Sequence, residues 1–194
     1  SRLKAEGRLH LEMLKRFGED LLEAAKYLEM QGVYHRDIKP ENIGVRQMGK
    51  SDELHLVLFD FSLSKTPLDN IRAGTPHYLD WFLSLRKAPR WDLYAERFAV
   101  AVTLYEMATG ELPKWGDGQS NPGVLESEAT LATELFDPNL REKMQLFFEK
   151  ALKRDYRERF DNAVEMLWAW QGIFKDIEQP ALGKQSKVEA EAAI

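Results

Sequence analysis

Cysteine is missing altogether: none of the 194 residues is Cys. A disulfide framework and a thiolate metal site are therefore excluded, and the composition suits a reducing compartment. Long apolar runs are missing too, since no stretch approaches the roughly 20 residues needed to cross a bilayer. The first ten residues carry Arg2, Lys4, Glu6 and Arg8 with no apolar block, so no secretory leader is expected. Positive charge is not in excess: 27 Lys and Arg stand against 32 Asp and Glu, for a net charge of -5. That balance gives no reason to expect nucleic acid as the main partner. Internal repeats are also lacking. What is present is a globular composition, 44% hydrophobic and 11% aromatic, enough for a real core. The length fits one domain with a short tail.

The local patterns are mainly helical. From His10 to Met30, the residues Leu14, Gly18, Leu21, Ala25 and Leu28 recur at steps of four and three, which predicts an amphipathic helix. Gln31-Gly32 supplies its stop. Val33 to Val45 reads as a loop between short strands, and Leu54 to Phe61 as a strand, with a hairpin turn at 49–52. Residues 62–90 hold three prolines and read as a long irregular segment, a kind that is usually functional. Asp92 to Thr109 is apolar on almost every face and predicts a buried helix closed by Gly110. Residues 113–123 predict a loop. Helices are expected over 124–135, 139–152 and 161–177, the last capped at Asp161-Asn162. The Ala/Glu/Lys/Gln-rich stretch 180–194 predicts a linker or tail.

The chemistry concentrates in Tyr34-His35-Arg36-Asp37-Ile38-Lys39-Pro40-Glu41-Asn42-Ile43. Asp supplies a base or a metal ligand, Lys a phosphate contact, and Asn a neutral oxygen ligand. A second acid, Asp60, ends the hydrophobic strand. Two carboxylates and a carboxamide suit a hard cation such as Mg²⁺, and an adjacent Lys suits a transferring phosphoryl group. The alternative is a surface loop whose charges are merely solvated.

The same residues resemble the catalytic loop of eukaryotic-like protein kinases, H-R-D-x-K-P-x-N. Further stretches follow in the family's order. Asp60-Phe61-Ser62 resembles the D-F-G magnesium motif. Gly74-Thr75-Pro76-His77-Tyr78 resembles the run that ends the activation segment. Asp92-Leu93-Tyr94-Ala95 resembles the opening of the family's buried helix. Thr109-Gly110-Glu111-Leu112-Pro113 and the later Lys153 to Phe160 resemble its closing motifs. The resemblance implies a mainly α fold: the C-terminal (large) lobe of a protein kinase, a helical bundle with a small β-hairpin carrying the catalytic and metal loops. It implies that Asp37 accepts the substrate hydroxyl proton and that Lys39 neutralises the γ-phosphate of ATP, as in Ser/Thr kinases. Asn42 and Asp60 would hold Mg²⁺. Thr75 would line the substrate groove. His35 and Phe61 would align the site, and Arg36 would pair with a phosphorylated or acidic side chain of the activation segment. Asp92 would hold the catalytic-loop backbone, and Arg159 would need a partner. The runs KPENIGV, IRAGTPHYLD and RWDLYAERFAVAVTLYEMATGELPKWGDG resemble the kinase module of bacterial phage-defence proteins of the Pgl/BREX type, which implies a cytoplasmic multidomain Ser/Thr kinase.

The departures set further expectations. Only about thirty residues precede the catalytic loop, with no Gly-rich phosphate loop, no V-A-I-K lysine and no helix glutamate to pair with it. The expected unit is therefore a kinase C-lobe over 1–179, part of a longer polypeptide that supplies the N-lobe and further domains, or else a natural protein that lost its small lobe. Ser62 replaces the D-F-G glycine. Gly44 stands where the family places a bulky residue under the adenine. Phe82 takes the place of the A-P-E glutamate that pairs with Arg159, and Asp80 is the candidate substitute. A protein substrate bearing Ser or Thr is expected as partner, with no membrane and no direct nucleic acid. Two other functions stay open: a catalytically inactive kinase-like interaction module and a small-molecule phosphotransferase.

Overall fold

The computed structural model describes residues 9–49 and 52–175. The charged lead-in and the expected tail at 180–194 lie outside the described residues, as do two residues of the 49–52 turn. Among the described residues four α-helices carry the fold: α1 (Leu11–Met30), α2 (Leu93–Thr109), α3 (Arg141–Ala151) and α4 (Ala163–Phe174). Two antiparallel pairs accompany them, β1 (Ile43–Gln47) with β2 (Leu54–Leu58), and the short β3 (Lys114–Trp115) with β4 (Ala129–Thr130).

The periodicity of α1 buries Leu14, Phe17, Gly18, Leu21, Leu22, Ala25 and Leu28 on one face. Each of the Leu and Phe side chains contributes roughly 1.5–3 kcal/mol on full burial. Gly18 has a specific reason to be there: a Cβ at that position would lie 2.3 Å from the ring of Trp170 in α4. Helices α1 and α4 can close together only around a residue without a side chain. The Trp170 indole, itself fully buried, donates to the carbonyl of Lys15 at 3.2 Å.

Helix α2 runs through the centre and is buried almost all round, as its composition requires. Asp92 caps its start by accepting from the Ala95 N–H at 2.9 Å, and Gly110 closes it in a left-handed conformation, φ 79°. Around it, Tyr105 packs edge-on against Phe136 and Phe148, and Phe147 does the same against Trp170.

The hairpin pairs Ile43 with Leu58 through Gln47 with Leu54. It is tied to α1 by Asp20, whose carboxylate accepts from the Leu56 N–H at 2.8 Å and contacts His55 Nδ1 at 3.1 Å. The strand stops at Leu58 rather than Phe61, because Asp60 turns left-handed, φ 61°.

Segment 62–90 is irregular apart from short 3₁₀ turns at Pro76–Tyr78 and Leu83–Leu85. It is held by a second small core of Leu83, Trp91 and Ala95, against which Tyr34, Leu68, Ile71 and Leu79 pack.

The helix expected over 124–135 does not form. That stretch holds a 3₁₀ turn at Pro122–Val124, strand β4 and another 3₁₀ turn at Thr133–Leu135. Non-local bonds outcompete the helix there: β4 pairs with β3, and the Ala132 N–H donates to the buried Tyr105 hydroxyl at 2.8 Å. The other two helices form but are shorter than expected, and Asn162 caps α4 by accepting from the Glu165 N–H at 2.9 Å.

Candidate active site

The loop between α1 and β1 brings Asp37, Lys39 and Asn42 together and meets Thr75 from the far end of the irregular segment. Asn42, at the end of a 3₁₀ turn entered through Pro40, donates from Nδ2 to the backbone oxygen of Asp37 at 2.8 Å and to its Oδ2 at 2.9 Å. The other carboxylate oxygen, Oδ1, accepts from the Thr75 hydroxyl at 2.7 Å and the Thr75 N–H at 3.1 Å. Lys39 Nζ lies 3.1 Å from Asp37 Oδ2 and donates to Thr75 Oγ1 at 2.5 Å. Burial pushes the Asp37 carboxyl up, but the bonds from Thr75, Lys39 and Asn42 outweigh it and hold the group below its ordinary value. Asp37 is thus an ionised acceptor fixed on both oxygens.

Gly74 lets the far segment come this close. Its φ is 139°, and a Cβ there would sit 2.8 Å from the carbonyl of Arg36 and 2.7 Å from Leu79.

Asp60 stands across from this cluster at the exposed turn after β2. The Ser62 hydroxyl and N–H hold its carboxyl below the ordinary value, while the charge of Asp37 acts in the opposite sense. The Ser62 N–H lies 3.2 Å from Asp60 Oδ1, so the serine in the glycine position clasps the acid. Before it, Phe59 donates its N–H to the Asn42 carbonyl at 3.0 Å, and its half-exposed ring rests 3.5 Å from where a Gly44 Cβ would stand.

His35 aligns the two loops. Its Nε2 bonds the Phe59 carbonyl at 2.8 Å, and its ring lies 4.5 Å from that of Phe61. Burial lowers its pKa, which favours the neutral imidazole with Nε2 as the donor.

Two expected partnerships are different in the structure. The Arg36 guanidinium makes no ion pair with an acidic side chain of the activation segment among the described residues, although the charge of Asp69 acts on it. The buried guanidinium donates instead to three main-chain carbonyls, Thr66 at 2.7 Å, Pro67 at 2.8 Å and Asn70 at 2.6 Å. Nor does Asp92 hold the catalytic-loop backbone. Its carboxylate caps α2 and pairs with Arg86, and its side chain is 37% exposed. The carboxylate that accepts from the loop is Glu96, one turn further on: Oε1 takes the His35 N–H at 2.6 Å, and both oxygens reach the Arg36 N–H at 3.2 and 3.3 Å. Burial raises the Glu96 pKa, opposed by the bonds from His35, Trp91 and Arg36. The signal for Glu96 was its place inside an apolar helix, where an ionisable side chain demands partners. Arg159 has a bidentate partner in Asp80, at 2.8 and 3.1 Å.

Asn42 and Asp60 carry oxygen donors of the kind Mg²⁺ prefers. No cluster of three or more His, Asp or Glu suited to a metal occurs among the described residues. No described helix is long and apolar enough to cross a membrane.

Comparison with known proteins gives the geometry its context. The protein kinase domain matches residues 1–169. The chain is 45% identical over 181 residues to the probable kinase PglW of Streptomyces coelicolor, covering 91% of this chain and 12% of that protein. It is 28% identical to CBL-interacting serine/threonine-protein kinase 3 of Arabidopsis thaliana, covering 97% of this chain and 47% of the relative. It is 26% identical to serine/threonine-protein kinase PrkC of Bacillus subtilis, covering 84% of this chain and 25% of the relative. The chain spans less than half the length of each of these relatives. With a helical lobe, a hairpin between the two loops and a match over most of its length, the chain belongs to the protein kinase domain family.

Proposed function

We propose that this chain is the substrate-binding and catalytic-loop lobe of a Ser/Thr protein kinase, acting within a longer polypeptide that supplies the N-lobe. The observation that carries the reading is the bonded cluster of Asp37, Lys39, Asn42 and Thr75, with Asp60 close enough for its charge to act on Asp37. Asp37, held ionised, would orient the substrate Ser or Thr hydroxyl and accept its proton. Lys39 would place a positive charge on the transferring phosphate of ATP. Asn42 and Asp60 would hold Mg²⁺, which when bound neutralises charge on the nucleotide phosphates. The apolar face made by Gly44 and the Phe59 ring would receive the base. Thr75 closes the site on the side where a protein substrate would lie.

The likeness to PglW supports assigning the lobe to a large bacterial kinase, and we read its setting as cytoplasmic phage defence. The intact acids argue against an inactive interaction module, and the Thr75 segment against a small-molecule phosphotransferase.

Phosphate transfer from radiolabelled ATP tests the reading. The longer polypeptide should form phosphoserine or phosphothreonine on a generic protein substrate. This chain alone should transfer no measurable phosphate, because catalysis here rests on positioning the nucleotide from both lobes. A longer polypeptide that binds no nucleotide would point to the interaction module instead.

A further inference from the structure

Trp91 is 2% exposed and has no part in the roles assigned so far, yet it contacts both Glu96 and Arg36. Its backbone N–H donates to the Leu68 carbonyl at 2.7 Å. Its indole N–H donates to Glu96 Oε2 at 2.9 Å. Its ring lies against the Arg36 guanidinium, 4.9 Å from the ring centroid. Glu96 in turn accepts from the His35 and Arg36 N–H groups, and Arg36 donates to the carbonyls of Thr66, Pro67 and Asn70. One side chain therefore closes a ring of contacts. It runs from the irregular segment through Arg36 to Trp91, on to Glu96, and back to the backbone of His35 and Arg36.

The backbone at that point needs such a clasp. Arg36 has φ 70°, a left-handed conformation that a long side chain rarely adopts and that persists only where the surroundings over-determine it. Asp37 is the next residue, so the direction of its carboxylate depends on how firmly Arg36 is held. A buried carboxylate with only backbone donors could swing about its last torsion. The indole N–H gives the second oxygen a closer donor, 2.9 Å against 3.3 Å from the Arg36 N–H, and restricts that freedom. Contact with the guanidinium face adds a cation–π attraction that sets where the Arg36 fork points.

We propose that Trp91 is a positioning residue for phosphoryl transfer at Asp37, acting through Glu96 and Arg36. This rests on the kinase reading above. Trp91 bonds Glu96 and lies against Arg36, next to Asp37, so its loss should fall on turnover rather than on nucleotide affinity.

The test is Trp91→Phe in the full-length protein, with Asp37→Asn beside it. Phenylalanine keeps an aromatic ring and removes the donor. The expected result is a kcat at least about tenfold lower, against the 10²-fold that a 1 Å misplacement can cost, with KM for ATP within about twofold. Faster exchange of the His35 and Arg36 amide hydrogens should accompany it. If the Phe variant folds poorly, Trp91→His, a planar ring that keeps an N–H, should recover part of the turnover; a His variant no better than Phe would count against the donor role. Unchanged kcat in Trp91→Phe while Asp37→Asn is inactive would overturn the positioning role alone. An active Asp37→Asn would overturn the kinase reading beneath it.

Discussion

Asp80 and Arg159 form a two-point ion pair across 79 residues of sequence, with both side chains buried and oxygen–nitrogen distances of 2.8 and 3.1 Å. Asp80 also accepts from Arg86 at 2.7 Å, and Arg86 pairs in turn with Asp92. The acid stands two positions before Phe82, which occupies the family's glutamate position, and the guanidinium still finds it. Removing one member strands a buried charge, which costs about 3–5 kcal/mol. Asp80→Ala should therefore shift the urea midpoint of this chain strongly downward. A shift worth under about 1 kcal/mol would mean that Arg86 and Arg159 find other acceptors.

The two acids of α2 should separate in the same assay. Asp92 is a partly exposed cap, so Asp92→Ala should cost about 0.5–2 kcal/mol. Glu96 answers three buried donors, on His35, Arg36 and Trp91. Glu96→Ala leaves them unsatisfied at roughly 1–3 kcal/mol each, so its loss should exceed that of Asp92→Ala clearly. Equal losses would contradict the assignment of Glu96 as the anchor.

Arg36 ties down residues 66–70 through main-chain carbonyls, and so needs no phosphate there. The double variant Ser64→Ala/Thr66→Ala of the full-length protein should keep kcat within about threefold, and phosphatase treatment should do the same. Neither change removes a bond that Arg36 makes, because its acceptors are the main-chain carbonyls of Thr66, Pro67 and Asn70. A loss of tenfold or more in either experiment would show that a phosphorylated hydroxyl takes over from the carbonyls.

The site was legible wherever its parts are contiguous. Asp37, Lys39 and Asn42 sit within six residues, so fixed spacing alone marks them. Helix ends were legible for a similar reason, since Asn162 and Gly110 act on their own turns. What escaped is what depends on distant partners. A cap at Asp92 and an anchor at Glu96 are both acids at the head of one helix, and only the fold shows which carboxylate the catalytic loop meets. The partners of Arg36 are carbonyls, which leave no trace in residue identity. Residues 124–135 lost their expected helix to β3 and to the Tyr105 hydroxyl, both remote in sequence. Gly18 was read as one more position on the apolar stripe, whereas its role is to admit Trp170.

The central claim is that Asp37 is the group at which phosphoryl transfer is organised. Asp37→Asn changes little in shape and leaves an oxygen able to accept from Thr75, so folding should survive. The measurement is kcat of the purified full-length protein for phosphate transfer to a Ser/Thr substrate, beside its melting temperature. The account predicts a fall of roughly 10²–10⁴-fold with a melting temperature within a few degrees of the parent. Near-parental turnover in a well-folded Asp37→Asn protein would contradict it.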